Sequence, residues 1–256
     1  MSNTVNSINS VNTALIENKA SDIRRDIISL LTFIYSNKLI KLLIPIQLSF
    51  GFYSSFVNYY INTKIVSEYT GIGYIGVLSA LATIVASVLS IPFSYVANKL
   101  GKVYIIIIGE LAFTFASILL IKFNDSEMAQ WPLIITFYVL YGIGRCVWEG
   151  INKAIIADFF KHPIERDMSY AFIYFSSGLS AAIGFLSYQF MSRSALIYLN
   201  LVVPVISIIS FLYAYRVYKL SNNHDLRVNK FSSVLSECFD ATENDYVNPI
   251  RFTNLN

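Results

Sequence analysis

The chain has 256 residues, of which 55% are hydrophobic and only 14% are charged. A water-soluble globular protein carries about 25% charged residues, so this composition excludes an ordinary soluble protein and predicts extensive contact with lipid. The formal charge of +3 at pH 7 is small and the basic residues are scattered, so no nucleic-acid partner is expected. Two cysteines and two histidines without metal-ligand spacing predict neither a disulfide framework nor a metal site.

The beginning of the chain is polar. Residues 1–20 are rich in Asn and Ser and lack the apolar core of a secretory signal peptide, which predicts a polar, flexible N-terminal segment. Residues 21–38 repeat apolar side chains at helical spacing, which predicts an amphipathic helix along the membrane surface. An ordinary helical linker would explain the same pattern. The apolar positions are Ile23, Ile27, Leu30, Leu31 and Ile34.

Six apolar stretches follow, each close to the roughly 20 residues that a helix needs to cross a bilayer. A segment in lipid must satisfy its own backbone hydrogen bonds, so each stretch is predicted to be a helix. The predicted fold is therefore an all-α, integral membrane six-helix bundle over residues 39–218, followed by a flexible cytoplasmic tail over residues 219–256. The predicted spans run from Leu39 to Ile61, Ile72 to Val96, Val103 to Ile121, Pro132 to Gly150, Tyr170 to Met191 and Ala195 to Tyr215.

The basic residues near the span ends predict the orientation. They are concentrated before the first span, in the second-to-third and fourth-to-fifth connections and at the start of the tail. The other three loops hold one each: Lys64, Lys122 and Arg193. This asymmetry predicts that both termini face the cytoplasm and leaves the identity of the membrane open. The sequon at Asn124 falls in a predicted outside loop, which makes Asn124 a glycosylation candidate.

Polar residues recur along one side of the first two predicted spans. Small hydroxyl residues in the second span favour close helix packing, and Ser176, Ser180 and Gly184 predict the same for the fifth span. The larger Gln47 and Asn58 fit both the lining of a cavity and hydrogen bonding between helices. The first-span stripe is Gln47, Gly51, Ser54, Asn58 and Asn62, and the second-span stripe is Ser79, Thr83, Ser87, Ser90 and Ser94.

Ionisable residues occur inside two predicted spans. A charge at the centre of a span costs about 2.5–3.5 kcal/mol, so Glu110 must be protonated, paired or wetted. Arg145 and Glu149 are spaced i to i+4 toward the cytoplasmic end of the fourth predicted span, with Asn152 and Tyr138 on the same predicted face. Such a pair can neutralise itself and hold the helix to its neighbours, or it can line a path for a solute or proton. The path candidates are Gln47, Asn58, Glu110, Arg145, Glu149 and Asn152.

Motifs for catalysis are missing from the sequence. It contains no nucleophile elbow, metalloprotease helix or phosphate-binding glycine loop, so neither an enzyme activity nor a cofactor is predicted. A potassium-selectivity filter and the arginine ladder of a voltage sensor are also missing.

The connection between the second and third spans reads Ser94-Tyr95-Val96-Ala97-Asn98-Lys99-Leu100-Gly101-Lys102. It resembles the major facilitator loop motif, Gly-x-Leu-Ala-Asp-Arg-x-Gly-Arg. The residues of this stretch that agree in type with the motif are Ala97, Lys99, Gly101 and Lys102, whereas Ser94 replaces the first glycine and Asn98 replaces the aspartate. In the family that aspartate contributes a charge interaction to gating, so the departure puts this interaction in doubt here.

The fourth span carries a second resemblance. Its residues from Tyr141 to Ala154 include Gly142, Gly144, Trp148 and Asn152, and Asp158-Phe159-Phe160 follow. This order resembles the tenth helix of the uncoordinated-93-like family, in which a glycine pair precedes a tryptophan and an Asn-x-Ala. The stretch from Leu39 to Tyr218 is similar in order and spacing to the carboxy-terminal half of that family.

These resemblances imply one six-helix half of a twelve-helix transporter, whose substrate sites lie between two halves. The implied function is alternating-access transport of a small solute or ion, with the second half supplied by a missing upstream segment or by homodimerisation. The alternative is a non-transporting regulatory subunit or trafficking partner of an ion channel or receptor, since members of the family are similar to proteins in those roles. The expected partners are the lipid bilayer, a second half, and a channel or receptor.

Overall fold

A computed structural model describes residue 25 and residues 28–246 of the backbone, with side chains as far as residue 222. All regular elements in these residues are helical. The chain divides into two units, Met1–Ala214 and Tyr215–Asn256. The described elements are α1 (residues 28–36), α2 (Lys38–Phe56), π1 (Val57–Thr70), α3 (Tyr74–Leu100), α4 (Lys102–Lys122), α5 (Asp125–Met128), α6 (Trp131–Cys146), π2 (Val147–Asn152), α7 (Lys153–Phe159), α8 (Pro163–Tyr188) and α9 (Arg193–Tyr246).

Among the described residues, six helices are long and apolar enough to cross a membrane, which confirms the predicted fold. The first span joins α2 to π1, and the fourth joins α6, π2 and α7. Four spans, the first, fourth, fifth and sixth, extend well beyond their predicted apolar stretches, because the helix continues into polar turns. In the first span, for example, Lys64 and Glu68 form an i,i+4 ion pair of 3.2 Å. The spans are Lys38–Thr70, Tyr74–Leu100, Lys102–Lys122, Trp131–Phe159, Pro163–Tyr188 and Arg193–Asn222.

Local sequence signals account for the span ends. The Asn37 side chain accepts hydrogen bonds from the backbone N–H groups of Leu39 (3.0 Å) and Ile40 (3.3 Å), which caps the first span. Gly101 has φ +104°, a conformation that side chains other than glycine rarely adopt, and it makes the sharp turn between the second and third spans. Pro163 occupies the first turn of the fifth span, where its missing N–H costs nothing.

The interior of the bundle contains two hydrophobic clusters. The first, which we call the outer cluster, includes Tyr53, Phe56, Phe137 and Tyr138. The second, the inner cluster, gathers Ile46, Ile106, Trp148, Phe160 and Phe211 among others. Along the first and third spans, some residues belong to the inner cluster and others to the outer cluster. The buried polar residues between them are Gln47, Ser49 and Glu110. The buried carboxyl group of Glu110 and the buried amide of Gln47 thus lie at the level between the two clusters.

The first and fifth spans cross at very close range. A Cβ atom on Gly51 would lie 1.8 Å from Ser180 Oγ and 2.3 Å from the Ser177 carbonyl oxygen, and one on Gly184 would lie 2.2 Å from Ser55 Oγ. Ser176, Ser180 and Gly184 are buried along this contact. The prediction that they form a packing ridge is confirmed.

The segment before the first span is partly described. In α1, Leu30, Phe33 and Ile34 pack against the inner cluster, whereas Leu31 is 58% exposed. Ile23, Ile27 and residues 1–20 lie outside the described residues, and the placement of residues 21–38 along a membrane surface stays a prediction. At the other end, α9 continues as a helix to Tyr246. The flexibility predicted for residues 219–256 likewise stays a prediction.

Candidate functional site

A polar cavity of about 260 Å³ opens beside the first, second and fourth spans. Ser54, Asn58, Arg145 and Glu149 are path candidates or members of the first-span stripe. Ser79 contributes from the second span. An aromatic and apolar wall completes the lining. The lining residues are Phe50, Ser54, Val57, Asn58, Ser79, Tyr141, Arg145 and Glu149.

Arg145 and Glu149 form an ion pair in this cavity. Arg145 Nε donates to Glu149 Oε1 at 2.7 Å, and Arg145 Nη1 donates to the Thr83 hydroxyl of the second span at 3.1 Å. The two side chains are 31% and 42% exposed, so the pair is accessible from the cavity and is not enclosed between helices. The pair therefore connects the fourth span to the second while both charged groups stay accessible.

The fourth span is longer than the sequence predicts, and this changes the position of the ion pair along the helix. The sequence places Arg145 and Glu149 toward the cytoplasmic end of a span that ends at Gly150. Because the helix continues to Phe159, Arg145 lies at the middle of the span. Ser54 lies at the middle of the first span in the same way. The cavity therefore lies halfway along both helices. The position of the pair toward the cytoplasmic side of the membrane stays a prediction.

A second group of polar side chains is buried behind the cavity, and we call it the amide cluster. Gln47 Oε1 accepts hydrogen bonds from Trp148 Nε1 (3.0 Å) and Asn152 Nδ2 (3.2 Å). Gln47 Nε2 donates to Asn152 Oδ1 at 3.5 Å. The indole of Trp148 stacks on Phe50, with 3.9 Å between ring centroids, and Phe50 also lines the cavity. One aromatic ring thus separates the amide cluster from the cavity.

Two sets of polar residues, those of the fourth span and the first-span stripe, were each predicted to lie on one face of a helix. Neither set stays on one face along its full length. Asn152 was predicted on the same face as Arg145, but it faces Gln47 in the interior and is fully buried. The reason is π2, since a π-helical turn contains an additional residue and rotates everything beyond it relative to an α-helix. Tyr138 is also buried, and its hydroxyl donates to Asn62 Oδ1. The first-span stripe is likewise divided, since Ser54 and Asn58 line the cavity, Gln47 belongs to the amide cluster, Gly51 contacts the fifth span and Asn62 bonds to Tyr138.

Glu110 lies in the interior of the third span, 5% exposed. Ser49 Oγ of the first span donates to Glu110 Oε2 at 2.7 Å. Among the described residues, no basic side chain forms a salt bridge with Glu110, which excludes the paired state within this part of the chain. A void of about 10 Å³, at the lower limit for one water molecule, is lined by Glu110, Trp148 and Asn152 among others. Glu110 therefore lines the same small void as two members of the amide cluster and is not one of the residues that line the cavity.

The second-span stripe is exposed rather than packed within this chain. Thr83, Ser87, Ser90 and Ser94 are exposed, and each hydroxyl donates to a carbonyl three or four residues earlier in its own helix. The second span instead packs through Leu78, Ala82 and Ala86 on another face. The stripe thus continues the polar surface of the cavity along the second span.

The facilitator-like loop keeps one ion pair despite the loss of its aspartate. Lys102 Nζ lies 2.7 Å from Asp158 Oδ2 of the fourth span and donates to the Ala154 carbonyl oxygen at 3.3 Å. Asn98 and Ser94 are exposed, and Lys99 lies over the Tyr95 ring at 4.5 Å. Lys102 therefore connects the third span to the fourth at this end of the bundle.

The opposite end of the bundle is held by Arg193. Its Nε donates to Asp125 Oδ1 at 2.8 Å, and its Nη2 donates at 2.9 Å to the carbonyl oxygens of Leu120 and Phe123. The Tyr60 hydroxyl donates to the other oxygen of Asp125 at 2.8 Å. Asn124 is exposed beside this network, so the structure leaves it accessible, and its glycosylation stays a prediction.

Two apolar residues of the cavity lining, Phe50 and Val57, were not singled out from the sequence. Both resemble ordinary apolar residues of a span, so no local signal separates them from the core. Trp148 was named only for the family resemblance, although a buried indole N–H requires an acceptor and so indicated a polar partner. Within the described residues, no group of three or more His, Cys, Asp or Glu side chains lies close enough together to hold a metal ion.

Comparison with known proteins identifies the family. A model of the Major Facilitator Superfamily matches residues 28–240, which is most of the chain and includes all six spans. Comparisons with curated proteins and with solved structures gave no match. The match agrees with a bundle of long apolar helices that carries a polar cavity at mid-span. This integral, multi-pass membrane protein belongs to the major facilitator superfamily.

Proposed function

We propose that this chain moves a small solute or ion across a membrane as one half of an alternating-access transporter. The observation that carries the proposal is the Arg145–Glu149 pair, half-exposed in a polar cavity at mid-span. Ionisable groups inside a membrane are costly, and they are found mainly on substrate, ion or proton paths. A pair that served only to join helices would be expected to be enclosed by them.

A second six-helix half is the partner that this proposal requires. Sites in transporters of this architecture lie between two halves near the midplane. The cavity and the second-span stripe present exposed polar groups, including Asn58, Thr83 and Ser87, which lipid would solvate poorly. A second half, either another segment of the same protein or a second copy of this chain, would cover this surface and complete the path.

The finer assignments belong to the same proposal. The order Gly142, Gly144, Trp148 and Asn152 supports membership of the uncoordinated-93-like family. In support of that motif, Gly144 packs directly on the Phe113 ring and Trp148 bonds to Gln47. The distribution of Lys and Arg among the loops supports an orientation with both termini in the cytoplasm.

The alternative proposal is a non-transporting regulatory subunit or trafficking partner of an ion channel or receptor. The replacement of the motif aspartate by Asn98 favours it, because an eroded gating loop would matter less in a protein that does not cycle. Against it, Lys102 keeps an ion pair with Asp158 across the same end of the bundle. Affinity capture from native membranes would return a stoichiometric channel or receptor under this alternative.

Uptake into proteoliposomes separates the two proposals. The purified full chain is reconstituted and tested with a panel of labelled amino acids, organic ions and inorganic ions. Under the transport proposal at least one solute accumulates above empty liposomes, and Arg145→Gln or Glu149→Gln abolishes its uptake. Lys64→Gln and Glu68→Gln serve as matched controls, because they break an exposed i,i+4 pair outside the cavity. Loss of uptake in all four variants, or in none, would count against the cavity as the path.

A further inference from the structure

The cavity contains one positive and one negative charge and is otherwise neutral. Its charged lining residues are Arg145 and Glu149, so the formal charge of the lining is zero. A solute with a single charge would have to compete with the existing partner of one group, and it would leave an unbalanced charge at mid-span. Unbalanced charge in a poorly hydrated site is costly. The charge balance therefore disfavours simple cations and anions.

The ion pair leaves some of its hydrogen-bonding groups unused. The bonds to Glu149 and Thr83 use Arg145 Nε and Nη1 and one oxygen of Glu149. Within the described residues, Arg145 Nη2 and the second oxygen of Glu149 have no hydrogen-bond partner. A carboxylate can approach the guanidinium edge, and an ammonium group can approach the free oxygen. Both charged groups of a zwitterion could thus bind without the Arg145–Glu149 pair being broken.

The spacing of the two charged groups and the volume of the cavity further restrict the class of solute. Arg145 and Glu149 are in direct contact, so the two charged groups of the solute must also be close neighbours, as they are across the single carbon of an α-amino acid. The volume of about 260 Å³ lies just below the roughly 300–1,000 Å³ of pockets for drug-sized ligands. Phe50, Val57 and Tyr141 offer an apolar wall for a side chain, and Ser54 and Asn58 offer polar groups.

We propose that this cavity binds a small zwitterion of the α-amino acid type with an apolar side chain, the carboxylate at Arg145 and the ammonium group at Glu149. This assignment rests on the proposed transport function, because it identifies the solute class of the same cavity. Binding selectivity separates this assignment from a purely structural pair, since a structural pair would show no preference between solutes that differ only in one charged group.

Binding to the full chain in detergent tests the assignment with three matched probes. L-Leucine has both charged groups, 3-methylbutylamine lacks the carboxylate, and 4-methylpentanoate lacks the ammonium group. Affinity is measured by calorimetry, with L-alanine and L-phenylalanine as further zwitterions. We expect at least one of the three amino acids to bind, and each loss of a charged group from leucine to weaken binding by about tenfold or more.

Two variants give a readout that a structural role would not produce. Glu149→Gln leaves Arg145 without its anionic partner, so this variant should lose leucine binding and gain preference for 4-methylpentanoate. Arg145→Gln should lose leucine binding and gain preference for 3-methylbutylamine. Lys64→Gln and Glu68→Gln should bind leucine as the unaltered chain does. Circular dichroism checks that every variant is folded.

The outcomes separate this assignment from the transport proposal. Failure of all three amino acids to bind, or equal binding of leucine and its amine or acid analogue, would overturn the zwitterion assignment. If another solute is then transported in an Arg145-dependent way, the transport proposal stands without it. Charge-dependent leucine binding with no uptake of any solute would instead support the assignment and contradict transport.

Discussion

Trp148 of the fourth span donates its indole N–H to Oε1 of Gln47 in the first span, with 3.0 Å between the two atoms. Because Gln47 also bonds to Asn152, its removal would leave the polar groups of two buried side chains without a partner. Each unsatisfied buried group costs about 1–3 kcal/mol. Because the Trp148 indole also stacks on Phe50, the bond helps to position the ring that separates the amide cluster from the cavity.

Gln47→Leu should therefore lower the free energy of unfolding by about 2–6 kcal/mol, since two buried side chains lose their partner. The measurement is reversible unfolding in mixed micelles, followed by tryptophan fluorescence. Gln189→Leu is the matched control, since Gln189 is exposed and bonds to a carbonyl of its own helix. Equal stability of the two variants would mean that the amide cluster contributes nothing to the fold.

Gly51→Ala should separate the first and fifth spans. The new methyl group would lie 2.3 Å from the Ser177 carbonyl oxygen, and backbone atoms cannot move away cheaply. Overpacking of this kind costs about 1–3 kcal/mol. Gly178→Ala in the fifth span is the control: it meets no atom within 4 Å, and alanine favours a helix over glycine by about 1 kcal/mol. A Gly51→Ala protein as stable as Gly178→Ala would contradict the close crossing.

The six spans could be predicted from the sequence because their apolar length admits few other structures. Their ends could not, since α7 continues the fourth span through Lys153 and Asp158, which a hydropathy argument assigns to a loop. Asn58, Arg145 and Glu149 were predicted as path candidates and the structure places them around one cavity. The position of Asn152 depends on π2, and no residue pattern in Val147–Asn152 indicates a change from α to π geometry.

The coupling energy between Arg193 and Asp125 should be larger than that of an exposed ion pair. Arg193→Ala removes bonds to Asp125 and to two carbonyl oxygens at the end of the third span. Hydrogen bonds to charged groups contribute about 1.5–3 kcal/mol. A double-mutant cycle of Arg193→Ala with Asp125→Ala measures the coupling. The same cycle on Lys64 and Glu68, an exposed pair, should give about 0.3–0.5 kcal/mol. Equal couplings would contradict this contrast.

Glu110→Gln should fold and should lower uptake. Glutamine keeps an oxygen that accepts the bond from Ser49, so the packing of the third span is preserved. It cannot bind or release a proton, however, so a role of Glu110 in the path would be lost. Unfolding and uptake are measured on the same preparation, with the exposed Glu165→Gln as control. Unchanged uptake would remove Glu110 from the path candidates.

Modification of the cavity by a charged thiol reagent tests the central claim most directly. Asn58→Cys, with Cys146 and Cys238 changed to Ser, is treated with sulfonatoethyl methanethiosulfonate before uptake of the solute found in the proteoliposome panel is measured. Tyr198→Cys, at an exposed position on the sixth span that does not line the cavity, is the control. If the cavity is the transport path, the reagent labels Asn58→Cys, stops uptake and leaves Tyr198→Cys active. Full uptake by the labelled Asn58→Cys protein would contradict that claim.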